Sequence, residues 1–171
     1  RGHGGGHPLC GSQLITLTAM LQEHSLDRDV CLVAPPASGK TTLCHRFARI
    51  CGYEPRVIFC HKELPAHELL QRRATDARGN TRWIDSPLVV AAKSGGLAIL
   101  DGVHRLPPAT LSASIAALAT DRAILSLPDG SRLLAPAHYS ALVSHGRSES
   151  ELAAVGVFRV DPAFRLLATA E

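Results

Sequence analysis

The sequence predicts an α/β fold, a parallel β-sheet covered by helices on both faces. Three observations predict it. Short apolar, β-branched runs alternate with helical patterns, as in Val30-Cys31-Leu32-Val33, Arg56-Val57-Ile58-Phe59-Cys60 and Leu97-Ala98-Ile99-Leu100, and strands that alternate with helices build parallel sheets buried on both sides. The first run opens into Ala34-Pro35-Pro36-Ala37-Ser38-Gly39-Lys40-Thr41-Thr42 and then a helical pattern, which is the strand–loop–helix layout of a phosphate-binding loop. The third run closes on Asp101, where an acidic group at a strand end can serve a metal ion beside such a loop.

Each element has a local reason. Ser12 is expected to cap a first helix with Leu14, Ile15, Leu17, Met20 and Leu21 as its apolar stripe. After the polar break Asp27-Arg28-Asp29, strand one covers residues 30–33, and the helix after the loop covers about residues 41–50, with Gly52 just past its end. Strand two is residues 56–60. A helical piece is expected over residues 67–73, followed by a polar, turn-rich stretch at 74–85 that holds Gly79-Asn80 and the lone Trp83. Ser86 and Pro87 suit the cap and first position of a helix over residues 88–93, stopped by Gly95-Gly96. Strand three follows at 97–100. Pro107-Pro108 lead into a helix carrying Leu111, Ile115 and Leu118. Ile124, Leu125 and Leu127, then Pro128-Asp129-Gly130-Ser131, then Leu133 and Leu134 spell a hairpin. Residues 144–151 read as a polar loop, and residues 164–169 as a last strand ending Ala168-Thr169. There is no internal repeat.

Bulk properties narrow the function classes. A chain of 171 residues is one domain of ordinary size, and 46% hydrophobic with 19% charged residues is a globular composition. Aromatics at 4% and a net charge of +3 spread along the chain argue against a nucleic-acid surface. No apolar run reaches membrane-spanning length, and no signal-peptide pattern is visible. The opening Arg1-Gly2-His3-Gly4-Gly5-Gly6-His7 reads as low-complexity tail rather than a metal-binding histidine tract, so residues 1–11 are expected to be flexible and residues 12–171 to form the core. Cys10, Cys31, Cys44, Cys51 and Cys60 form no C-x-x-C pair. They are expected to be reduced core residues of an intracellular protein, with Cys31 and Cys60 in buried strands. The nine histidines show no zinc-ligand spacing.

The loop's chemistry follows from backbone physics. Amides at a helix N-terminus lack intrahelical partners and lie at the positive end of the helix dipole, so they bind phosphate oxygens. Gly39 permits close backbone approach, Lys40 is placed to reach β- and γ-phosphates, and the Thr41 hydroxyl to hold Mg²⁺ together with Asp101. The first position of the motif is Ala34 rather than glycine, tolerable only where the turn needs no positive φ. Pro35 and Pro36 donate no N–H, so the cradle falls to residues 37–42. The residue after Asp101 is Gly102, where a carboxylate would polarise the attacking water; lack of a positioned base costs about 10²–10⁴-fold in rate. Gly102→Glu is therefore expected to raise hydrolysis in an assembled ring. His104 is a candidate substitute base, although a surface histidine on the turn after the strand is the simpler assignment.

With loop, strand and hairpin placed, the chain resembles the dynein-related, MoxR-like branch of the AAA+ ATPases. The resemblance rests on Glu68-Leu69-Leu70-Gln71-Arg72-Arg73, Ser86-Pro87-Leu88-Val89, Leu100-Asp101-Gly102-Val103-His104-Arg105 and Asp129-Gly130-Ser131-Arg132-Leu133-Leu134, and covers residues 12–171. It implies a P-loop NTPase three-layer sandwich with a hairpin before the last strand and without the helical lid. It also implies ATP and Mg²⁺ as ligands and neighbouring AAA+ modules in a ring as partners. The family context is a large mitochondrial ATPase with several such modules; its substrate protein is not readable from these residues. Asp-Gly in place of Asp-Glu implies a module that binds ATP more than it hydrolyses it. The family's polar sensor-1 position falls on Glu171, and its finger arginine comes from a neighbouring module, which leaves Arg72, Arg73 and Arg105 as solvated or ion-paired surface residues. A ring subunit that no longer binds nucleotide is the alternative, favoured by Ala34, Gly102 and Glu171 together. A small-molecule kinase is disfavoured by the hairpin before the last strand.

Overall fold

The computed structural model describes residues 9–119 and 124–171. The chain runs through α1 (Gly11–Ser25), β1 (Val30–Val33), α2 (Lys40–Ile50), β2 (Arg56–Phe59) and α3 (Ala66–Leu70). A first hairpin, β3 (Gln71–Thr75) and β4 (Thr81–Asp85), precedes α4 (Pro87–Ser94) and β5 (Leu97–Asp101). After a 3₁₀ turn at Val103–Arg105, α5 (Pro108–Thr110) continues through a π-helical stretch, Leu111–Ile115, into α6 (Ala116–Ala119). A second hairpin, β6 (Ile124–Ser126) and β7 (Arg132–Leu134), is followed by α7 (Pro136–Ser144), α8 (Glu149–Ala154), β8 (Val157–Arg159) and β9 (Arg165–Ala170).

The central sheet has the order β1-β9-β5-β2, all parallel, as the alternation of strands and helices predicts. Because side chains alternate along a strand, β5 sends Leu97 and Ile99 to one face and Ala98 and Leu100 to the other. On the first face these residues meet Leu17 and Met20 of α1 and Leu43, Cys44 and Phe47 of α2. On the second they meet Leu88, Val89, Ala91 and Ala92 of α4 together with Leu69, Leu118 and Phe164. All four apolar residues of β5 are fully buried, which is why that strand is a continuous apolar run. Helix α4 starts and stops as its residues predict. The Ser86 hydroxyl accepts from Val89 N at 3.3 Å and donates to Leu69 O at 2.7 Å, Pro87 takes the first position, and Gly95 ends the helix at φ 72°.

Several expectations are corrected. The cap of α1 is Cys10, whose N–H donates to Gln13 Oε1 at 3.3 Å, so Ser12 lies inside the helix. Leu14 and Ile15 are 57% and 74% exposed, which leaves Leu17 and Met20 as the core-facing stripe. Cys31 is exposed because β1 is an edge strand whose burial alternates, and Cys10 is exposed at the helix start; only Cys44 and Cys60 are fully buried. Burial pushes their thiols up to about 12 and about 11, with the Asp101 charge adding to both rises, so they are neutral packing groups. Gln71-Arg72-Arg73 is strand rather than helix, and the turn-rich stretch 74–85 holds a turn between two strands. Five cross-strand pairs from Gln71↔Asp85 to Thr75↔Thr81 make a hairpin. Its turn is fixed by Asp76 Oδ1, which accepts from the N–H groups of Arg78 and Asn80, and by Gly79 at φ 83°. Arg73 lies over the Trp83 ring at 4.8 Å. Residues 144–151 contain the start of α8, capped reciprocally by Ser148 and Glu151. The expected tail falls largely outside the described residues, at 1–8, together with its histidines; Leu9 packs on the α1 core face, and Cys10 and Gly11 start the helix.

The two hairpins are joined by a buried polar link. Gln71, 1% exposed, donates from Nε2 to Asp85 Oδ1 (2.8 Å) and Asp129 Oδ2 (2.9 Å), and its Oε1 accepts from Asp129 N at 3.0 Å. Lys93 closes the network on Asp85 Oδ2 at 2.7 Å. Burial opposes ionisation of Asp129, but hydrogen bonds from Ser131 and Gln71 outweigh it and hold the carboxyl below its usual value. A carboxyl held low in the folded state stabilises at neutral pH and loses that contribution as pH falls through the carboxylate range. Gln71→Leu removes three hydrogen bonds and strands Asp129 N; it should destabilise the fold by about 1–3 kcal/mol, read as a lower urea midpoint. Ser86→Ala should cost about 1–2 kcal/mol through loss of the α4 cap and of the bond to Leu69, and an unchanged midpoint would refute the capping role.

Candidate functional site

The site forms where β1, β5 and β9 end beside the start of α2. Leu97, Ile99 and Asp101 share the face of β5 that looks toward α2, and Thr169, paired with Asp101 across the strands, shares the equivalent face of β9. The result is a hydrogen-bonded chain. Thr41 Oγ1, in the first turn of α2, donates to Asp101 Oδ2 at 2.9 Å, and Thr169 Oγ1 donates to Asp101 Oδ1 at 2.5 Å. The Gly102 N–H in turn donates to Thr169 Oγ1 at 2.9 Å. Cys60 N, after β2, donates to Asp101 O at 2.8 Å, so the strand end is fixed from three sides.

The loop between β1 and α2 is built for open amides. Gly39 caps α2 with φ 84° and offers no side-chain acceptor to the first turn. The left-handed residue that the turn requires besides Gly39 is Ala37, at φ 60°, and not Ala34, so alanine at the first motif position is sterically harmless. A non-glycine residue in that region costs about 1 kcal/mol, a strain of the kind concentrated at functional loops. Lys40 Nζ lies across the loop, donating to Ala34 O at 2.6 Å and Pro35 O at 2.8 Å.

A cavity of about 420 Å³ opens over this arrangement, walled by residues 37–42 together with Phe59, Asp101, Gly102, His104, Arg105, Thr169 and Glu171. The structure thus brings Ala37, Ser38, Gly39, Lys40, Thr41 and Thr42 to one wall with Asp101 and leaves Ala34, Pro35 and Pro36 outside it. Ala34 lines a smaller cavity of about 210 Å³ between α1 and the loop, with Gln13, Val33 and Lys40. Among the described residues no group of three or more His, Cys, Asp or Glu side chains could hold a metal ion. The fitting donors are instead the Thr41 hydroxyl and the Asp101 carboxylate, hard oxygens of the kind Mg²⁺ takes when water and phosphate complete its shell.

The far wall was less legible. His104 is exposed: its Nδ1 accepts from Glu171 N at 3.2 Å and its Nε2 lies 3.8 Å from Glu171 Oε2. Arg105 Nη2 lies 3.4 Å from Glu171 Oε1. Arg105 is therefore ion-paired, while Arg72 and Arg73 lie on the first hairpin, away from this wall. Gly102 has φ 84°, and a Cβ there would lie 3.4 Å from Arg105 Cζ. A glutamate at 102 would therefore sit on a backbone that side chains resist. Thr169 and Phe59 were missed as site residues. For Thr169 the signal was its polarity at the end of an apolar strand; for Phe59, which is 69% exposed, it was nothing beyond the strand end.

Comparison with known proteins agrees with this architecture. The AAA domain (dynein-related subfamily) matches residues 29–171. The chain is 40% identical over 156 residues to the von Willebrand factor A domain-containing protein 8 of Mus musculus, a match that covers 91% of this chain and 8% of the mouse protein. The denitrification regulatory protein NirQ of Pseudomonas aeruginosa is 36% identical over 117 residues, covering 68% of this chain and 44% of NirQ. The crystal structure of a protein from Cytophaga hutchinsonii assigned as an ATPase superposes with a TM-score of 0.60 at 16% identity, over 93% of this chain and 38% of that one; at that identity the likeness concerns the fold. The chain spans less than half the length of each of these proteins. Its sequence, its parallel sheet and its strand–loop–helix site together make it a member of the dynein-related AAA domain family, with the P-loop ATPase fold.

Proposed function

We propose that this chain binds ATP with Mg²⁺ and works as one module of a larger ring-forming machine, with weak hydrolysis of its own. The observation that carries the reading is the 2.9 Å contact between Thr41 Oγ1 and Asp101 Oδ2 at the wall that also presents the first amides of α2. Those amides and the Lys40 ammonium are the groups that would take the phosphates. Thr41 and Asp101 would hold the metal, whose chemistry there is to neutralise charge on the β- and γ-oxygens. Thr169 serves by fixing Asp101 in one rotamer, leaving the carboxylate no freedom to turn away.

Weak hydrolysis follows from Gly102, which places no carboxylate next to Asp101. The ring context follows from family membership, with neighbouring modules as partners and the finger arginine supplied by one of them. A place within a large multi-module protein is supported by the 91% coverage of this chain by its mouse relative. A mitochondrial address is part of the same reading, carried by the family resemblance and tested by imaging the tagged protein. Among the described residues no helix is long and apolar enough to cross a membrane. A ring subunit without nucleotide is the second reading, favoured by the departure at Gly102; Ala34 lends it no support, because the turn needs no positive φ there.

Calorimetry separates the two. ATP binding in the presence of Mg²⁺ is expected, and Lys40→Ala should weaken it by about 100-fold, since a charge-assisted contact is worth about 1.5–3 kcal/mol. Normal affinity in that variant would remove the loop from the site. Asp101→Asn should abolish the dependence of affinity on Mg²⁺. Gly102→Glu should lower stability by about 1–2 kcal/mol without raising turnover, measured by thermal unfolding alongside phosphate release.

A further inference from the structure

We propose that Glu171 supplies the carboxylate that position 102 cannot carry. Given ATP binding at this site, a reading on which the inference rests, Glu171 orients the attacking water and takes its proton. Two constraints lead there. Gly102 sits at φ 84°, with its N–H committed to Thr169 Oγ1 and Arg105 atoms 3.4–3.5 Å from where a Cβ would stand. A side chain at that position is strained whatever its chemistry, so a catalytic carboxylate must come from another element. Glu171 directly follows the end of β9, two residues past Thr169, and its N–H donates to His104 Nδ1 at 3.2 Å, which holds it at that end of the sheet. Its side chain walls the same cavity as Lys40, Thr41 and Asp101.

Its neighbours hold it without exhausting it. Arg105 Nη2 stands 3.4 Å from Oε1, and His104 Nε2 stands 3.8 Å from Oε2. The Glu171 N–H donates to His104 Nδ1, so in the neutral ring the proton is on Nε2, facing the carboxylate. Both side-chain contacts are long for hydrogen bonds, which leaves lone pairs on both oxygens for a water molecule. His104 and Arg105 are thus positioning residues, and Glu171 the group that touches the reacting water.

The step balances as follows. The water oxygen forms a bond to the γ-phosphorus; the bond from that phosphorus to the β,γ-bridging oxygen breaks, and its electron pair leaves on ADP. One water proton passes to Glu171 and from there to solvent. The cavity wall already offers the loop and Lys40 for the phosphates, so Glu171 is the remaining wall residue with an ionisable acceptor not bonded to Thr41 or Thr169.

Glu171→Gln tests this, because it keeps size and hydrogen bonding but cannot take the proton. In the protein as expressed, ATP affinity by calorimetry should stay within about 3-fold of the unmodified protein, while single-turnover phosphate release slows by about 10²–10⁴-fold. Glu171→Asp should retain part of the rate, which a purely structural ion pair with Arg105 would not separate from Gln by kinetics at equal affinity. Equal phosphate release by Glu171→Gln and the unmodified protein overturns the inference, and so does ATP bound by the unmodified protein with no release at all. A protein that binds no ATP overturns the nucleotide reading itself, and the calorimetric arm reveals this before any rate is measured.

Discussion

The Asp101 carboxylate is held on one oxygen by Thr41 and on the other by Thr169, and these two bonds tie the first turn of α2 to the adjacent ends of β5 and β9. Hydrogen bonds to a charged group contribute about 1.5–3 kcal/mol each, so the arrangement is stiff as well as polar. Everything else at the site is measured from it. The loop amides face the cavity because α2 begins where Thr41 must meet Asp101, and the chain turns at Gly102 because its N–H answers to Thr169. The price of this tight turn is that position 102 loses the ability to carry a side chain.

The phosphate-loop wall was legible in the sequence, and the opposite wall was not. A glycine before Lys-Thr, a β-branched run before the loop and an apolar run ending in Asp101 are local signals, and each is tied to its element by geometry that every such loop shares. Thr169 became a site residue only through sheet order, whereas Glu171 was marked by the resemblance alone. Nothing in the residues near 169 says that β9 inserts between β1 and β5, the first of which lies at the other end of the chain. Alternation along β9 then does the rest. The same limit explains Cys31: its strand was recognised, but that the strand lies at an edge is a fact of topology.

The first hairpin failed for a different reason. Glu68-Leu69-Leu70 continues smoothly into Gln71-Arg72-Arg73, and helical propensity alone carries the helix onward. Tertiary pairing overrides it: Gln71 is buried against Asp85 and Asp129, a commitment that a helical backbone could not satisfy while Arg72 and Arg73 paired with Ile84 and Trp83. The polar, turn-rich character of 74–85 is that of a two-stranded ribbon with both faces largely solvated. Of the two capping signals read, Ser86 holds and Ser12 yields to Cys10, and the same signal at Ser148 with Glu151 marks a helix that polar composition had hidden.

The position of β1 at the margin of the central sheet has one more effect. Among the described residues only β9 lies beside it in that sheet, so the opposite row of its peptide groups has no strand neighbour among them. Val33 is 70% exposed on it, and the four residues Val30-Cys31-Leu32-Val33 contain none of the charges or prolines that discourage strand addition. An extended segment of matching length, from this polypeptide or another, would find there a template already twisted and held straight by its inner neighbour. The four residues that launch the phosphate loop therefore also form a strand edge open to sheet extension.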